Sequence, residues 1–323
     1  MRVVSGIQPS GPMHIGNYFG AVVQHLALQH EHESFFFIAN YHAMTSIKDP
    51  ALLEAYTFSV AVDYLTLGLN PNKAIFFRQS DIPEVHEFSW MLQVCTGKGL
   101  LERAHSYKDK VSKGISPSLG LFTYPALMAA DILLYQANLV PVGQDQMQHI
   151  EITQDMAQSF NHTYKTDTLK RPVGLLTKTP KVPGLDGDKM SRSYGNTIAI
   201  FEPKDLVRKK IMSMKTDSLP MSAKRNPDTC LVFSLLQLFA NQAEIESWKA
   251  QYVEGGLSYG AIKKRLFELF DEKFGSLHNK REEIENQQDD VESILQAGAQ
   301  KARLIAIPMI ETLRSLTGIK KKS

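Results

Sequence analysis

Three short runs of apolar residues constrain the fold of this 323-residue chain more than any other feature. They occupy residues 34–39, 74–78 and 139–142, and none shows the apolar–polar alternation of a strand with one wet face. Helical patterns lie between them, at residues 50–67 and 84–95. Strands buried on both faces that alternate with helices predict an α/β fold with a doubly wound parallel sheet. Ligands of such folds bind at the carboxyl ends of the strands.

The alternation of strands and helices does not continue to the end of the chain. Residues 228–241, 258–274 and 282–316 carry helical periodicity with charged outer faces, and no strand pattern separates them. We therefore expect an α/β domain of residues 1–197 and an α-helical domain of residues 198–323. The last helix is long enough to pack back on the first domain.

Composition indicates an ordinary water-soluble globular protein, since 43% of the residues are hydrophobic and 22% are charged. The formal net charge is only +2, so contacts with a nucleic acid would depend on local basic patches. No apolar run is long enough for a membrane span and no signal pattern opens the sequence, so we expect a cytoplasmic protein. The two cysteines, Cys95 and Cys230, are expected to be buried thiols.

Residues 5–21 follow a short β-branched run and lead into a helical pattern. A strand, a turn rich in Gly, Pro and Ser, and then a helix direct backbone N–H groups and the positive end of the helix at an anion. The spacing of Gly11 and Gly16 nearly meets the P-loop pattern, but Asn17 and Tyr18 stand where Lys and Ser or Thr are required. We interpret the stretch as an anion-binding loop outside the P-loop class. The alternative is a tight turn that binds nothing.

A second candidate loop reads Lys-Met-Ser-Arg-Ser at residues 189–193, with Gly184, Gly187 and Gly195 around it. Glycines on both sides favour a mobile segment that can close over a bound anion. The alternative is an exposed basic loop without a ligand. Residues 96–120, which are basic and rich in Gly and Ser, are interpreted as a solvated surface loop.

Asp131 lies in the middle of the apolar residues 128–134. A carboxylate in such surroundings is costly without a partner, so Asp131 is a candidate acceptor for a donor on a ligand. The alternative is a helix carboxylate with internal hydrogen bonds. His25, His30 and His32 have no matching cysteine or carboxylate set, so we expect surface histidines and no metal site.

Four segments, in order along the chain, carry a resemblance to a known family. Residues 13–17, Met-His-Ile-Gly-Asn, resemble the HIGH signature of class I aminoacyl-tRNA synthetases, and residues 189–193 resemble their KMSKS signature. Residues 5–11, Ser-Gly-Ile-Gln-Pro-Ser-Gly, resemble the opening of the bacterial tryptophanyl-tRNA synthetases, and residues 131–135 followed by 140–146 resemble their amino-acid and ribose-binding core. The resemblance covers most of residues 1–200 and continues weakly beyond them.

The resemblance implies ATP-dependent activation of L-tryptophan, with release of pyrophosphate, and transfer of tryptophan to the 3′ end of tRNA(Trp). Attack of a carboxylate on the α-phosphate depends on positioning and charge stabilisation, and it needs no covalent enzyme intermediate. Mg²⁺ would arrive with ATP. Residues 1–197 would form a Rossmann-like catalytic domain with the ATP and tryptophan sites, and residues 198–323 an anticodon-binding domain. A homodimer is also implied, with its interface near residues 90–140.

The resemblance also assigns residues to each substrate. The catalytic residues act on the phosphates and are His14, Asn17, Lys110, Lys189 and Arg192. The ATP-binding residues are Gln8, Pro9, Ser10, Gly16, Asn17, Gly143, Gln144, Asp145, Val182, Lys189, Met190, Ser191, Arg192 and Ser193. The tryptophan-binding residues surround the expected acceptor of the indole N–H and are Asp131, Met128, Tyr124, His42, Val140, Val142 and Gln146. Taken without the family, His14 would be a helix cap, and the valines would be plain core.

Two features depart from the family pattern. Arg192 replaces the second lysine of the KMSKS signature, so that a planar fork replaces a point charge. Arg103, Ala104, His105 and Ser106 stand where many members have a Met-Thr-Gln segment. The affinity for the amino acid and any contact between subunits at this segment therefore stay open.

Three other functions stay open. A tyrosyl-tRNA synthetase shares the fold and both signatures, and a non-catalytic, synthetase-like RNA-binding paralogue would keep the fold alone. A small-molecule nucleotidylyltransferase would have a similar first loop. Asp131 and the opening residues 8–10 favour tryptophan over tyrosine, while the intact His14 and Lys189 favour an enzyme. The length of the helical domain disfavours the nucleotidylyltransferase.

Overall fold

The structure of the protein, a computed structural model, describes residues 1–103, 118–177 and 181–319. The chain forms two compact units, and neither is continuous in sequence. The first, which we call the sheet unit, comprises Met1–Ser10, Gln24–Thr177 and Gln287–Ser323. The second, the helical unit, comprises Gly11–Val23 and Lys178–Asn286. Compactness thus divides the chain elsewhere than the expected boundary after residue 197, which stays a prediction about function.

The described part of the sheet unit holds one parallel sheet of five strands in the order β3-β2-β1-β4-β5. The strands are β1 (Arg2–Ile7), β2 (Glu33–Ile38), β3 (Ala74–Arg78), β4 (Leu139–Val142) and β5 (Val173–Leu176). This is the doubly wound order that the sequence predicts. Consecutive connections change direction between β1 and β4, and the carboxyl ends of those two strands flank the crevice in which such sheets bind ligands.

Fourteen α-helices lie in the described residues. They are α1 (Ile15–Asn17), α2 (Val23–Leu28), α3 (Asn40–Ala43), α4 (Pro50–Leu67), α5 (Glu84–Val94), α6 (Lys98–Glu102), α7 (Leu119–Leu133), α8 (Met147–Tyr164), α9 (Lys204–Met212), α10 (Leu231–Leu236), α11 (Gln242–Glu254), α12 (Tyr259–Phe274), α13 (Leu277–Asn286) and α14 (Gln288–Thr317). A π-helical turn, Tyr18–Val22, joins α1 to α2. None of the helices described here is both long and apolar enough to cross a membrane.

Helix α4 forms where its end signals predict it. The side chain of Asp49 accepts a hydrogen bond from the backbone N–H of Leu52, at 3.1 Å, and Pro50 takes the first helical position. Gly68 ends the helix in the left-handed conformation, with φ of 110°. The predicted bounds of this helix are therefore confirmed.

Other predicted bounds were wrong. Residues 96–120 were expected to form a surface loop, but α6 lies within them and α7 already begins at Leu119, where the side chain of Ser118 accepts from the N–H of Leu121. Strand β5 was missed because it is a half-buried edge strand with a glycine in its middle, inside a turn-rich stretch. Helix α11 was also missed, and the helix predicted over residues 282–316 is interrupted at Gln287, between α13 and α14.

Helix α14 belongs to the sheet unit and packs directly on the backbone of β3, its edge strand. A Cβ added to Gly298 would lie 1.8 Å from the carbonyl oxygen of Phe76, so only glycine permits this approach. Ala299, Ala302 and Ala306 continue the small-residue face into the core. Three arginine–glutamate pairs hold the helix in place, namely Arg78–Glu292, Arg303–Glu84 and Arg314–Glu87.

Candidate active site

A buried carboxylate lies at the carboxyl ends of β2 and β3 in the sheet unit. Asp131, on α7, is 2% exposed. Two side chains that follow the strands reach it: His42 on α3, after β2, and Gln79, the first residue after β3. Nε2 of His42 lies 2.9 Å from Oδ2 of Asp131, and Nε2 of Gln79 lies 3.0 Å from Oδ1 and 2.8 Å from Oδ2. The carboxylate is therefore partnered by other elements and not by its own helix.

The partners of Asp131 all act as donors. The amide NH₂ of Gln79 can only donate, and Nε2 of His42 donates when it carries the ring proton. Burial, the largest influence, raises the pKa of the Asp131 carboxyl above its ordinary value, and the hydrogen bonds from His42 and Gln79 oppose that rise without cancelling it. An arrangement in which both oxygens accept favours the ionised carboxylate, which can accept a further N–H from a ligand.

The aromatic side chain of Tyr124 lies beside this group. Its ring meets the ring of His42 edge to face at 6.3 Å, and its hydroxyl lies 2.5 Å from Nε2 of His149. Val140 and Val142 are buried in the hydrophobic core, and Met128 packs against that core. The structure thus brings together Asp131, His42 and Tyr124 of the predicted tryptophan-binding set.

The turn after β4 carries the remaining predicted residues of the sheet unit. Gln146 is half-buried there, and its Nε2 lies 3.4 Å from Oδ2 of Asp145. A Cβ on Gly143 would lie 2.8 Å from Oδ1 of Asp145. The lack of a side chain at residue 143 therefore lets the Asp145 carboxylate lie close to the backbone of the turn. Gln144 begins the short 3-10 helix that leads into α8.

The turn after β1 is tight. The N–H of Ser10 donates to the carbonyl of Gln8 at 2.9 Å, across Pro9. This turn and the turn after β4 follow the two strands at the switch point of the sheet, where the fold class predicts the ligand crevice.

In the helical unit, His14 caps α1. Its Nδ1 accepts from the backbone N–H of Asn17 at 3.3 Å, and the side-chain oxygen of Asn17 accepts from the N–H of His14 at 3.2 Å. Burial, followed by the charge of Arg192, lowers the pKa of His14 to about 4. The ring is therefore neutral at pH 7, and because Nδ1 accepts, the proton is on Nε2. Capping thus leaves His14 with a donor for an anion.

The two predicted signature segments pack against each other within the helical unit. A Cβ on Gly16 would lie 2.9 Å from Nδ1 of His14 and 3.2 Å from Cβ of Met190. Nη1 of Arg192 donates to the carbonyl of Pro12 at 3.2 Å. The second signature thus lies against the start of α1, where the N–H groups of Ile15 and Asn17 already donate to the carbonyl of Ile198 and to the ring of His14.

Asn196 shapes the second signature, and the sequence analysis did not identify it. Its buried side chain accepts from the N–H of Ser191 at 2.8 Å and donates to Oδ1 of Asp186 at 2.7 Å and to the carbonyl of Lys189 at 3.3 Å. A Cβ on Gly184 would lie 2.2 Å from this side chain. The only signal in the sequence was an asparagine shortly after the signature, which is an ordinary loop residue.

The other predicted residues of this unit lie on the same loop. Lys189 is exposed, and the hydroxyls of Ser191 and Ser193 are 2.8 Å apart. The carbonyl of the buried Val182 accepts from the N–H of Met190 at 2.9 Å. Lys110 lies outside the described residues. Within those residues, no group of three or more His, Cys, Asp or Glu side chains could hold a metal ion.

Comparisons with known proteins agree with these motifs. Residues 1–275 match the family described as class I tRNA synthetases for W and Y. A tryptophan–tRNA ligase of Rhodopirellula baltica is 47% identical over 320 residues, which cover 99% of this chain and 100% of that protein. The corresponding ligase of Fusobacterium nucleatum is 45% identical, and the match covers 98% of both chains. Among solved structures, a tryptophanyl-tRNA synthetase of Campylobacter jejuni, in complex with ADP and tryptophan, superposes with a TM-score of 0.90. It is 43% identical, and the match covers 98% of this chain and 100% of that one.

Proposed function

This chain belongs to the class I tRNA synthetases for tryptophan and tyrosine, and we infer that its activity is that of a tryptophan–tRNA ligase. It activates L-tryptophan with ATP to give tryptophanyl-adenylate and pyrophosphate, and then transfers tryptophan to the 3′ end of tRNA(Trp). The observation that carries this conclusion is the identity of 43 to 47% to tryptophan–tRNA ligases along 98 to 99% of the chain. An identity of this extent favours tryptophan over tyrosine within the family.

For tryptophan recognition, we propose that Asp131 accepts the indole N–H. Indole has one donor and no acceptor, so an ionised carboxylate is its natural complement. The donors around Asp131 support this role because they favour the ionised form. Tyr124 and Gln146 contact the ammonium and carboxylate groups of the amino acid. Met128, Val140 and Val142 form apolar walls, and His42 adds a polar contact.

For the phosphates, we propose a donor from His14 and positive charge from Lys189, Arg192 and Lys110. The carboxylate of tryptophan attacks the α-phosphorus, and the bond from that phosphorus to the bridging oxygen of pyrophosphate breaks. Negative charge moves onto the leaving pyrophosphate, where cations and N–H donors stabilise it. The Nε2 proton of His14, fixed by the capping bond from Asn17, supports its role as a donor.

Other residues complete ATP binding in this proposal. Gly16 and Asn17 line the nucleotide, Asp145 accepts from the ribose hydroxyls, and the backbone of Val182 meets adenine. The flanking contacts come from Gln8, Pro9, Ser10, Gly143, Gln144, Met190, Ser191 and Ser193. Mg²⁺ enters as part of the MgATP substrate, since phosphate oxygens are the ligands that this ion prefers.

For the macromolecular partners, we propose that residues 198–323 read the anticodon of tRNA(Trp) and that the protein acts in the cytoplasm, where its tRNA substrate is used. We also propose a homodimer. On α5, Trp90 and Val94 lie one turn apart and are 66% and 57% exposed, while its other face is buried. Exposed apolar patches of this kind mark interaction surfaces. They lie in the stretch expected to form the interface.

The activity is tested by amino-acid-dependent exchange of labelled pyrophosphate into ATP, with each of the twenty amino acids in turn. We expect exchange with tryptophan alone, followed by charging of tRNA(Trp) in an aminoacylation assay. Exchange with tyrosine would instead identify the sister activity, and absence of exchange with every amino acid would favour the non-catalytic paralogue.

The role of Asp131 is tested by Asp131→Ala. We expect the KM for tryptophan to rise by about 100-fold or more, because the indole donor then enters an apolar pocket without an acceptor. The KM for ATP should change by less than about threefold. Steady-state pyrophosphate exchange at varied concentrations of tryptophan and of ATP measures the two KM values separately. Equal changes in both constants would make Asp131 a scaffold residue.

A further inference from the structure

Gln79 is one of the most deeply buried polar residues of the sheet unit, at 1% exposure, and both ends of its amide are bonded. Its Oε1 accepts from the backbone N–H groups of Tyr41, at 3.1 Å, and His42, at 3.4 Å. Its Nε2 bridges the two oxygens of Asp131. The residue thus ties the start of α3 to a carboxylate on α7.

The orientation of this amide is fixed by chemistry. Backbone N–H groups can only donate, so the oxygen of the Gln79 amide must face Tyr41 and His42. The NH₂ group then faces Asp131. A flipped amide would set a donor against donors and an acceptor against the carboxylate, which burial makes costly.

The bonds around Asp131 are unequal for its two oxygens. Oδ2 accepts from both His42 and Gln79, at 2.9 and 2.8 Å. Within the part of the chain that the structure describes, Oδ1 accepts a hydrogen bond from Gln79 alone, at 3.0 Å. A carboxylate oxygen has about two acceptor positions, so the position left for a ligand donor is on Oδ1.

We propose that Gln79 is a positioning residue for amino-acid selectivity: it fixes the plane of the Asp131 carboxylate so that Oδ1 accepts the indole N–H of tryptophan. The inference rests on the proposed role of Asp131. His42 alone cannot do this, because it contacts one oxygen and leaves the broad terminal torsion of the carboxylate free to turn. A bridging donor to both oxygens removes that freedom.

The test compares tryptophan with its benzothiophene analogue, in which sulfur replaces the indole N–H. The readout is the ratio of kcat/KM for the two amino acids in pyrophosphate exchange. For the unaltered chain we expect a preference for tryptophan of at least about 100-fold, since sites built around a donor reject analogues that lack it. Gln79→Met, which keeps the volume and removes the amide, should reduce this preference by about ten- to hundredfold. The kcat/KM of the analogue should change by less than about threefold.

Gln79→Leu provides a second variant if Gln79→Met does not fold. It also removes the donor to Asp131, with a branched side chain in place of a linear one, so the preference should again fall. The matched control is Gln29→Met. Gln29 is a buried amide that also bridges backbone groups, with bonds to Leu26, Gly68 and Asn70, away from Asp131. This control should lower the melting temperature and leave the preference unchanged.

The outcomes separate the two levels of the proposal. If the unaltered chain accepts both amino acids equally, the role of Asp131 as indole acceptor fails, and the inference falls with it. If the unaltered chain prefers tryptophan and the Gln79 variants keep that preference, the inference alone is overturned. It is also overturned if the variants lose activity equally with both amino acids, because that result is expected of a merely structural residue.

Discussion

Burial at single residues decides which polar groups titrate. His25 was expected at the surface, but it is buried, stacked on Phe36 at 4.5 Å, with Nδ1 2.9 Å from the hydroxyl of Tyr64. The prediction was wrong because the polar end of this helix was taken to be exposed. His25 in fact shares the buried face of α2 with Leu28, three residues further along the helix. Burial lowers its pKa from 6.5 to about 3.

This burial predicts an acid-sensitive fold. The unfolded chain binds a proton at His25 with an ordinary pKa near 6.5, whereas the folded chain does so only near 3. Stability from this residue is therefore complete above pH 6.5 and is lost as the pH falls toward 3. Between pH 7 and pH 5 the loss is about 2 kcal/mol. His25→Gln, which cannot be protonated, should reduce the fall in the free energy of unfolding by about that amount.

The measurement is urea unfolding at pH 7 and pH 5. His30→Gln serves as the control, because His30 is exposed and its replacement should leave the pH dependence unchanged. If His25→Gln loses as much stability between the two pH values as the unaltered chain, the buried ring is not the source of the acid sensitivity.

Residues differ in how far the sequence predicts their roles. Asp131 stands out in the sequence because a carboxylate inside an apolar run needs a partner. Gln79 and Asn196 do not stand out, because a glutamine after a strand and an asparagine in a loop are ordinary. Their roles come from partners that the fold supplies, and the partner of Gln79 is 52 residues away in sequence. Long-range pairing of neutral polar groups leaves no pattern in a single sequence.

A helix or strand is also predictable when neighbouring residues specify it, and is missed when distant residues do. Helix α4 was predicted in full because Asp49, Pro50 and Gly68 act on their own neighbours. Strand β5 was missed because its four residues gain their conformation from pairing with β4. The last helix was expected to pack back on the first domain, but its contact with β3 in particular could not be predicted, because a glycine between alanines in a helix shows nothing of the strand it approaches.

That packing predicts a large effect from a small substitution. Gly298→Ala would place a methyl group 1.8 Å from the carbonyl oxygen of Phe76, so α14 must move off the edge strand. We expect a loss of about 3 kcal/mol or more in the free energy of unfolding, at the upper end of overpacking effects. Chemical denaturation followed by circular dichroism measures it.

A second helical glycine of the sheet unit serves as the control. A Cβ on Gly99, in α6, would meet no atom of the described residues within 4 Å, so Gly99→Ala should be neutral or stabilise by up to about 1 kcal/mol. If both substitutions have equally small effects, then α14 does not depend on this contact with β3.

For the whole molecule, chain order and compactness do not coincide. Residues 11–23, which carry the first signature, belong to the helical unit together with the second signature, whereas α14 returns to the sheet unit. The expected boundary after residue 197 lies where the strand pattern ends, and that pattern reports secondary structure and not compactness. The contact of Gly16 with Met190 joins segments more than 170 residues apart. A change of composition along the sequence does not indicate such contacts.

At the scale of the whole molecule, the proposed interface on α5 predicts a dimer. The buried face of this helix holds Val85, Phe88 and Leu92, and so its exposed Trp90 and Val94 are not needed for the core. Covering an indole that is 66% exposed with a second protein surface lowers the free energy, because apolar area is removed from water. We expect the purified chain to sediment at twice its mass of 36.3 kDa.

Trp90→Glu combined with Val94→Glu should convert that dimer to a folded monomer, because each interface would then bury four unpaired carboxylates. Sedimentation equilibrium gives the mass, and circular dichroism checks the fold. Leu52→Glu, on the exposed face of α4 and outside residues 90–140, is the matched control and should leave the dimer intact. The proposed interface would be contradicted by a dimer that survives the paired substitution, or by an unaltered chain that is already a monomer. Because the pair lies on the face opposite the buried core of α5, the variant should stay folded, and a monomer mass counts as support only when circular dichroism shows the native fold.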